Sequence, residues 1–447
     1  MPTPLSAAQR APAQDLLDFI DASPSPWHAV ASCCARLAAA GYQRLAEDER
    51  WSLAAGGRYY VTRGDSSLIA FRLGRAPLAE AGLTMIGAHT DSPGLRVKPR
   101  PAEDVAGMRR VGVEVYGGPI LATFADRDLG LAGRVYVRNA AGELHSRLVH
   151  FAEPLLRLPN LAIHMNREVN ESGLKFNKQN ELPLLLGVAD GIPADDAFRA
   201  LLAERAGVAV EDLLSWELVA CDTQKGAFWG VDREFVANSQ LDNLASCHAA
   251  LSALLAGEAA AAAGSKQSAL VAFFDHEEVG SESAAGAGGS FIADLLARLA
   301  LSQQLDGEDQ RRMLARSLFI SADMAHAWHP NFPTAYEPGH RVLVNGGPVI
   351  KHNANQRYST NAETAARFAE FCRRAGVPCQ HYAHRTDLGC GSTIGPIVAA
   401  RLGIPSVDIG NPMWAMHSLR ESAGALDHGY LIAALSTALA GSAAARE

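Results

Sequence analysis

Apolar positions recur at three- and four-residue steps over 13–21 and 28–40, a spacing that predicts two helices near the start of the chain. β-rich runs follow at 58–63 and 67–73. The run 83–88 (LTMIGA) is apolar and bounded by Gly82 and HTDSPG, which suits a strand buried on both faces. From about Pro99 the texture changes. Val111, Val113 and Val115 alternate with Gly112, Glu114 and Tyr116, and RVYVRNAAGELHSRLVHF reads as two strands around a turn. Only one good helical pattern, 194–205, interrupts the stretch up to Phe235.

After Val236 helices and strands alternate again. SQLDNLASCHAALSALLAGEAAAAA favours a long helix, with the Ala-rich 258–263 as its continuation. Strand candidates at 270–274, 318–321 and 406–409 are separated by helical patterns such as 290–301 and 361–375. The expectation is an α/β fold: a mostly parallel sheet flanked by helices, split by an inserted mainly-β domain. The parts are 1–98 (catalytic, first part), 99–235 (inserted, for assembly) and 236–447 (catalytic, second part).

A chain of 447 residues exceeds the size of most single cores, which agrees with two domains. The 48% apolar and 20% charged residues are ordinary for a soluble enzyme, so composition decides nothing finer. No apolar run reaches the roughly 20 residues needed to cross a bilayer, and no secretory signal opens the chain. The cysteines at 33, 34, 221, 247, 372, 379 and 390 are scattered, with no CxxC, which fits a reducing cytoplasm rather than a disulfide framework. A net charge of −8 without a Lys/Arg block favours neither nucleic acid nor a membrane as partner.

Each strand candidate of the α/β part is followed by acids or imidazoles. His89-Thr90-Asp91 follow the first, Asp275-His276-Glu277-Glu278 the second, Asp323 the third, and GNPMWAMHS with His417 the fourth. Ligands of open α/β sheets bind beyond the carboxyl ends of the strands, so these groups are expected to converge. Taken singly, each has a plainer reading. One of 15 histidines is more often surface or core, paired acids often form a solvated face, and Asp242 could simply cap a helix. No GxSxG, GxGxxG or GxxxxGK[ST] motif points to another chemistry.

HTDSP, SQLDN, HEEVGS, SADMAHA and MHS, in this order, resemble the aspartyl aminopeptidase family of dinuclear zinc metallopeptidases. GPVIKHNANQRY and RTDLGCGSTIGP strengthen the resemblance, which covers nearly the whole chain. It implies two Zn2+ per subunit, with Co2+ or Mn2+ as substitutes, held by His89, Asp242, Glu278, Asp323 and His417, with Asp242 bridging. It further implies Glu277 as general base for attack by a metal-bridging hydroxide, and Asp91 as the partner of His89's other ring nitrogen. His326, Lys351 and Tyr358 would line the substrate pocket, with N-terminal Asp or Glu preferred. His164 would contact substrate from a neighbouring subunit of a homo-oligomer of twelve chains acting on peptides with a free N-terminus. A family member preferring neutral residues, a zinc deacylase and a non-catalytic scaffold are the alternatives.

Overall fold

The computed structural model of the protein describes residues 5–257 and 267–441; the expected helix at 258–263 lies outside the described residues. A nine-stranded sheet forms the frame. Its order is Gln43–Arg44, Arg58–Arg63, Ser67–Arg72, Ser268–Phe274, Leu83–His89, Leu318–Ala322, Ser406–Gly410, Val349–His352 and Gln380–Ala383. Side chains alternate between two cores. Leu83, Met85, Leu270, Ala272 and Phe274 pack on one face, with helices Phe291–Ser302 and Ile394–Leu402. Ile86, Ala88, Val271 and Phe273 pack on the other, with helices Ala7–Asp21, Pro26–Ala39, Leu241–Ala256 and Asp427–Leu439. Burial on both faces is why these strands read as unbroken apolar runs.

The expectation of a mostly parallel sheet holds for five of the eight pairings among the described residues, and three are antiparallel. The middle strands Ser268–Phe274, Leu83–His89, Leu318–Ala322 and Ser406–Gly410 run parallel. They are flanked by the antiparallel neighbours Ser67–Arg72 and Val349–His352, so the sheet is mixed. Part of the cause is local: Arg58–Arg63 and Ser67–Arg72 are joined by a short turn, and such a hairpin can only pair antiparallel.

A second, six-stranded sheet is built from residues 94–222, in the order Leu144–Leu156, Leu129–Arg138, Leu213–Asp222, Gly94–Val105, Met108–Tyr116 and Leu184–Val188. All its pairings are antiparallel. It has a core of its own, which Phe198 and Leu202 of helix Ala194–Ala206 help to fill. Its first strand begins at Gly94 and runs through Pro99 and Pro101, with a register shift between Val97 and Ala102 that takes the prolines out of the regular ladder. A small third sheet, Ala227–Trp229, Phe235–Asn238, Glu421–Gly424, Pro412–Trp414 and Ala325–His326, has no counterpart in the sequence reading.

The first two helices start earlier than the periodicity suggests. Ser6 and Gln9 cap each other's backbone ahead of Ala7, and Ser25 caps His28 with Pro26 in the first turn. All seven cysteines are free thiols. Among the described residues, no helix is long and apolar enough to cross a membrane.

Candidate metal centre

Three adjacent strands of the large sheet end at one edge and deliver side chains there. His89 closes Leu83–His89, Glu277 and Glu278 open the single turn Glu277–Val279 after Ser268–Phe274, and Asp323 follows Leu318–Ala322. Asp323 sits tight against the next strand: a Cβ on Gly410 would lie 1.7 Å from the Asp323 carbonyl oxygen, so only glycine fits there. Asp242 comes from the first turn of Leu241–Ala256, where Asp242 and Asn243 leave helical dihedrals. It is therefore not an ordinary capping acid. His417 lies beyond Pro412–Trp414, in the left-handed region at φ 67°.

These side chains converge. His89 Nε2 lies 3.5 Å from Asp242 Oδ1, 3.5 Å from Asp323 Oδ1 and 4.0 Å from Glu277 Oε2. His417 Nε2 lies 3.5 Å from Asp242 Oδ2 and 3.4 Å from Glu278 Oε1. A tetrahedral zinc ion with bonds of about 2.0–2.1 Å holds its donors about 3.3–3.4 Å apart, so the spacing suits that ion. Asp242 Oδ1 is buried with no hydrogen-bond donor, a costly state that a cation would relieve. Two overlapping trios, His89–Asp242–Glu278 and His89–Glu277–Asp323, are each compact enough to hold a metal ion.

The electrostatics point the same way. Burial alone would lower His89 and His417, but the facing carboxylates outweigh it: His89 is held well above the usual histidine range and His417 is raised to about 11. Burial raises Glu278 to about 7 and pushes Glu277 well above the carboxylate range. The carboxylates hold protons on the imidazoles and burial holds them on the glutamates; a divalent ion would take the protons' place.

Backbone contacts fix the cluster. Asp91 is fully buried, and its two carboxylate oxygens accept the N–H groups of Glu277 and Glu278, each at 3.1 Å. His89 Nδ1 stands 3.0 Å from the Asp91 carbonyl oxygen, nearer than the Asp91 carboxylate at 3.4 Å. Glu421 accepts the N–H of Asp242 at 3.0 Å and that of His417 at 2.7 Å. Sequence reasoning assigned Glu421 no role, although it closes the MHSLRE segment.

A cluster of polar and aromatic side chains adjoins Asp323. Lys351 is buried; its Nζ donates to the Met324 carbonyl at 3.0 Å, stands 3.8 Å from Asp323 Oδ2 and faces the Tyr358 ring at 5.1 Å. His326 lies beside Tyr382 and His384, and Tyr382 Oη and His384 Nδ1 are 2.5 Å apart. Burial, then the Lys351 charge, lowers His326 to about 4, so it is neutral at physiological pH. Tyr382 and His384 were not foreseen. His164 stands elsewhere, on an exposed turn with Leu161, Ile163 and Met165.

Imidazoles and carboxylates gathered at the carboxyl edge of an α/β sheet define a metal-dependent hydrolase. Known proteins make the class specific. The pattern of the family described as aminopeptidase I zinc metalloprotease (M18) matches residues 19–438. The chain is 50% identical over 426 residues to the probable M18 family aminopeptidase 2 of Azotobacter vinelandii, covering 94% of this chain and 96% of that one. Its fold is similar to Ape4 in the cryo-EM structure of the Ape4 and Nbr1 complex, with TM-score 0.93, 37% identity and coverage of 98% of this chain and 88% of that chain. It is also similar to the S. cerevisiae mApe1 dodecamer subunit, with TM-score 0.83, 28% identity and 95% coverage of each. The chain belongs to the M18 peptidase family. It is a metallo-aminopeptidase, a hydrolase acting on peptides.

Proposed function

We propose that this aminopeptidase removes single N-terminal residues, Asp or Glu in preference, at a site for two zinc ions. His89 and Asp323 would complete the ligands of one ion, Glu278 and His417 those of the other, with Asp242 bridging. The observation that carries this reading is the division of Asp242: each of its oxygens lies 3.5 Å from the Nε2 of a different histidine. Two ions held there would polarise a peptide carbonyl and lower the pKa of water. Cobalt and manganese suit the same nitrogen and oxygen donors, so availability decides among them.

Glu277 is the proton carrier in this reading. Asp91 holds its backbone and its carboxylate faces the cluster, so it is placed to accept a proton and return it to the departing amine. Asp91 acts by placing Glu277 and Glu278. Lys351, His326 and Tyr358 form the pocket for the first side chain. A buried ammonium group favours an acidic side chain over a neutral one.

The mApe1 dodecamer supports a homo-oligomer, with twelve subunits as the proposed number. In the proposed division, 99–235 is an inserted assembly domain between catalytic parts 1–98 and 236–447, and the enzyme is cytoplasmic. His164 would contact substrate in a neighbouring subunit; the exposed apolar side chains beside it are of the kind a partner covers. A zinc-loaded assay on aspartyl, glutamyl, leucyl and N-acetylated peptides tests the reading. Cleavage of the acetylated peptide would refute the aminopeptidase mechanism, and faster leucyl turnover would refute the acidic preference.

A further inference from the structure

The antiparallel sheet reaches the candidate metal centre through the short segment 116–120 (YGGPI). Tyr116, the last residue of strand Met108–Tyr116, donates its hydroxyl to Asp91 Oδ2 at 2.6 Å. Asp91 uses that same oxygen to accept the Glu278 N–H at 3.1 Å and its other oxygen to accept the Glu277 N–H. Gly118 offers its carbonyl to His417 Nδ1 at 3.1 Å, and the Ile120 N–H donates to the His417 carbonyl at 2.9 Å. The Gly118 contact holds a proton on Nδ1, which would leave Nε2 as the ring nitrogen available to a metal ion beside Asp242 and Glu278. Gly117 lies between the two contacts at φ 66°, and a Cβ there would come within 3.1 Å of the Glu278 Cβ, so the segment can lie this close only with glycine. The Arg96 guanidinium covers the Tyr116 ring at 3.6 Å, fixing the phenol from within its own sheet.

We propose that Tyr116 is a positioning residue of the peptidase reaction: its hydroxyl ties the antiparallel sheet to Asp91, and through Asp91 it places Glu277 and Glu278. The proposal rests on the reading of Glu278 as a metal ligand and Glu277 as the proton carrier. Asp91 has two backbone donors but a single hydroxyl donor, and that hydroxyl alone comes from the second sheet. Without it, Asp91 and the Glu277–Glu278 turn lose their registration against the rest of the site. The metal centre then depends on how the antiparallel sheet is seated, although that sheet supplies none of the proposed ligands.

The test compares Tyr116→Phe with the parent and with Glu278→Gln, each as the full-length protein. Tyr116→Phe keeps the ring and its contact with Arg96, and thermal unfolding verifies that it is folded. Removal of an outer hydrogen bond of this kind costs about tenfold to a hundredfold in metal affinity or activity. Tyr116→Phe should lower kcat by that order with little change in KM. It should also release zinc faster to a chelator, and in the cobalt-loaded protein it should shift the visible absorption. Parent-like kcat and zinc release in folded Tyr116→Phe would overturn the proposal. If Glu278→Gln also left the cobalt spectrum unchanged, the site reading itself would fall, and the role of Tyr116 with it. If only Glu278→Gln changed the spectrum and zinc release, the site would stand and Tyr116 would have no part in placing it.

Discussion

Glu421 Oε2 accepts the backbone N–H of Asp242 at 3.0 Å, and its other oxygen accepts that of His417 at 2.7 Å. One buried carboxylate thus fixes two chain segments that approach the cluster from different parts of the fold. Glu421→Ala leaves both N–H groups buried without acceptors, a cost of about 1–3 kcal/mol each. Urea unfolding of the metal-free protein should show a loss of that size, and zinc content should fall. Glu421→Gln keeps one acceptor and should fall between the parent and Glu421→Ala in both measurements.

Glu277→Gln keeps the size of the side chain but removes its capacity to carry a proton. Turnover should drop by about a hundredfold to ten-thousandfold, with the metal content of the parent retained. Parent-like kcat at full metal occupancy would exclude Glu277 as the proton carrier.

Lys351→Met replaces the buried ammonium group by an apolar chain of similar length. The loss of one charge-assisted contact, about 1.5–3 kcal/mol, corresponds to roughly tenfold to a hundredfold in kcat/KM. That loss is expected on aspartyl and glutamyl peptides, with leucyl peptides nearly unaffected. An equal loss on all three would instead give Lys351 a general structural role.

Asp427 supplies a prediction about pH. It is fully buried, and burial raises it from 3.8 to about 8, against the lowering effect of the Gly347 and Asn345 N–H groups that it accepts. Between those values the folded state holds a proton that the unfolded chain releases. The contribution of Asp427 to stability is therefore fully present below about pH 4 and is lost as the pH rises toward 8. Asp427→Asn should flatten the fall in stability over this window, as measured by denaturant unfolding at a series of pH values. An unchanged slope would show that Asp427 does not titrate there.

The sequence displayed the sheet-edge groups because each follows an apolar run long enough to be recognised as a buried strand. It displayed much less of what holds them. Ala325–His326 and Pro412–Trp414 pair in strands too short to show any alternation, so the small sheet that brings in Glu421 left no periodic signal. Pro99 looked like a boundary but lies, with Pro101, inside the strand Gly94–Val105, where the register shift accommodates both. Tyr116 sat in an alternating β pattern that explained its presence fully, so nothing set its hydroxyl apart. Taken alone, without the family resemblance, Asp242 fitted a helix cap equally well, because its departure from helical geometry is a property of the folded backbone.

The central claim is that His89, Asp242, Glu278, Asp323 and His417 hold two zinc ions with Asp242 between them. Anomalous diffraction at the zinc edge, on crystals of the zinc-loaded protein, tests it most directly. Two peaks about 3.5–4 Å apart are predicted, each about 2 Å from a different Asp242 oxygen, one beside His89 and Asp323 and the other beside Glu278 and His417. A single peak, or zinc bound away from Asp242, would contradict it.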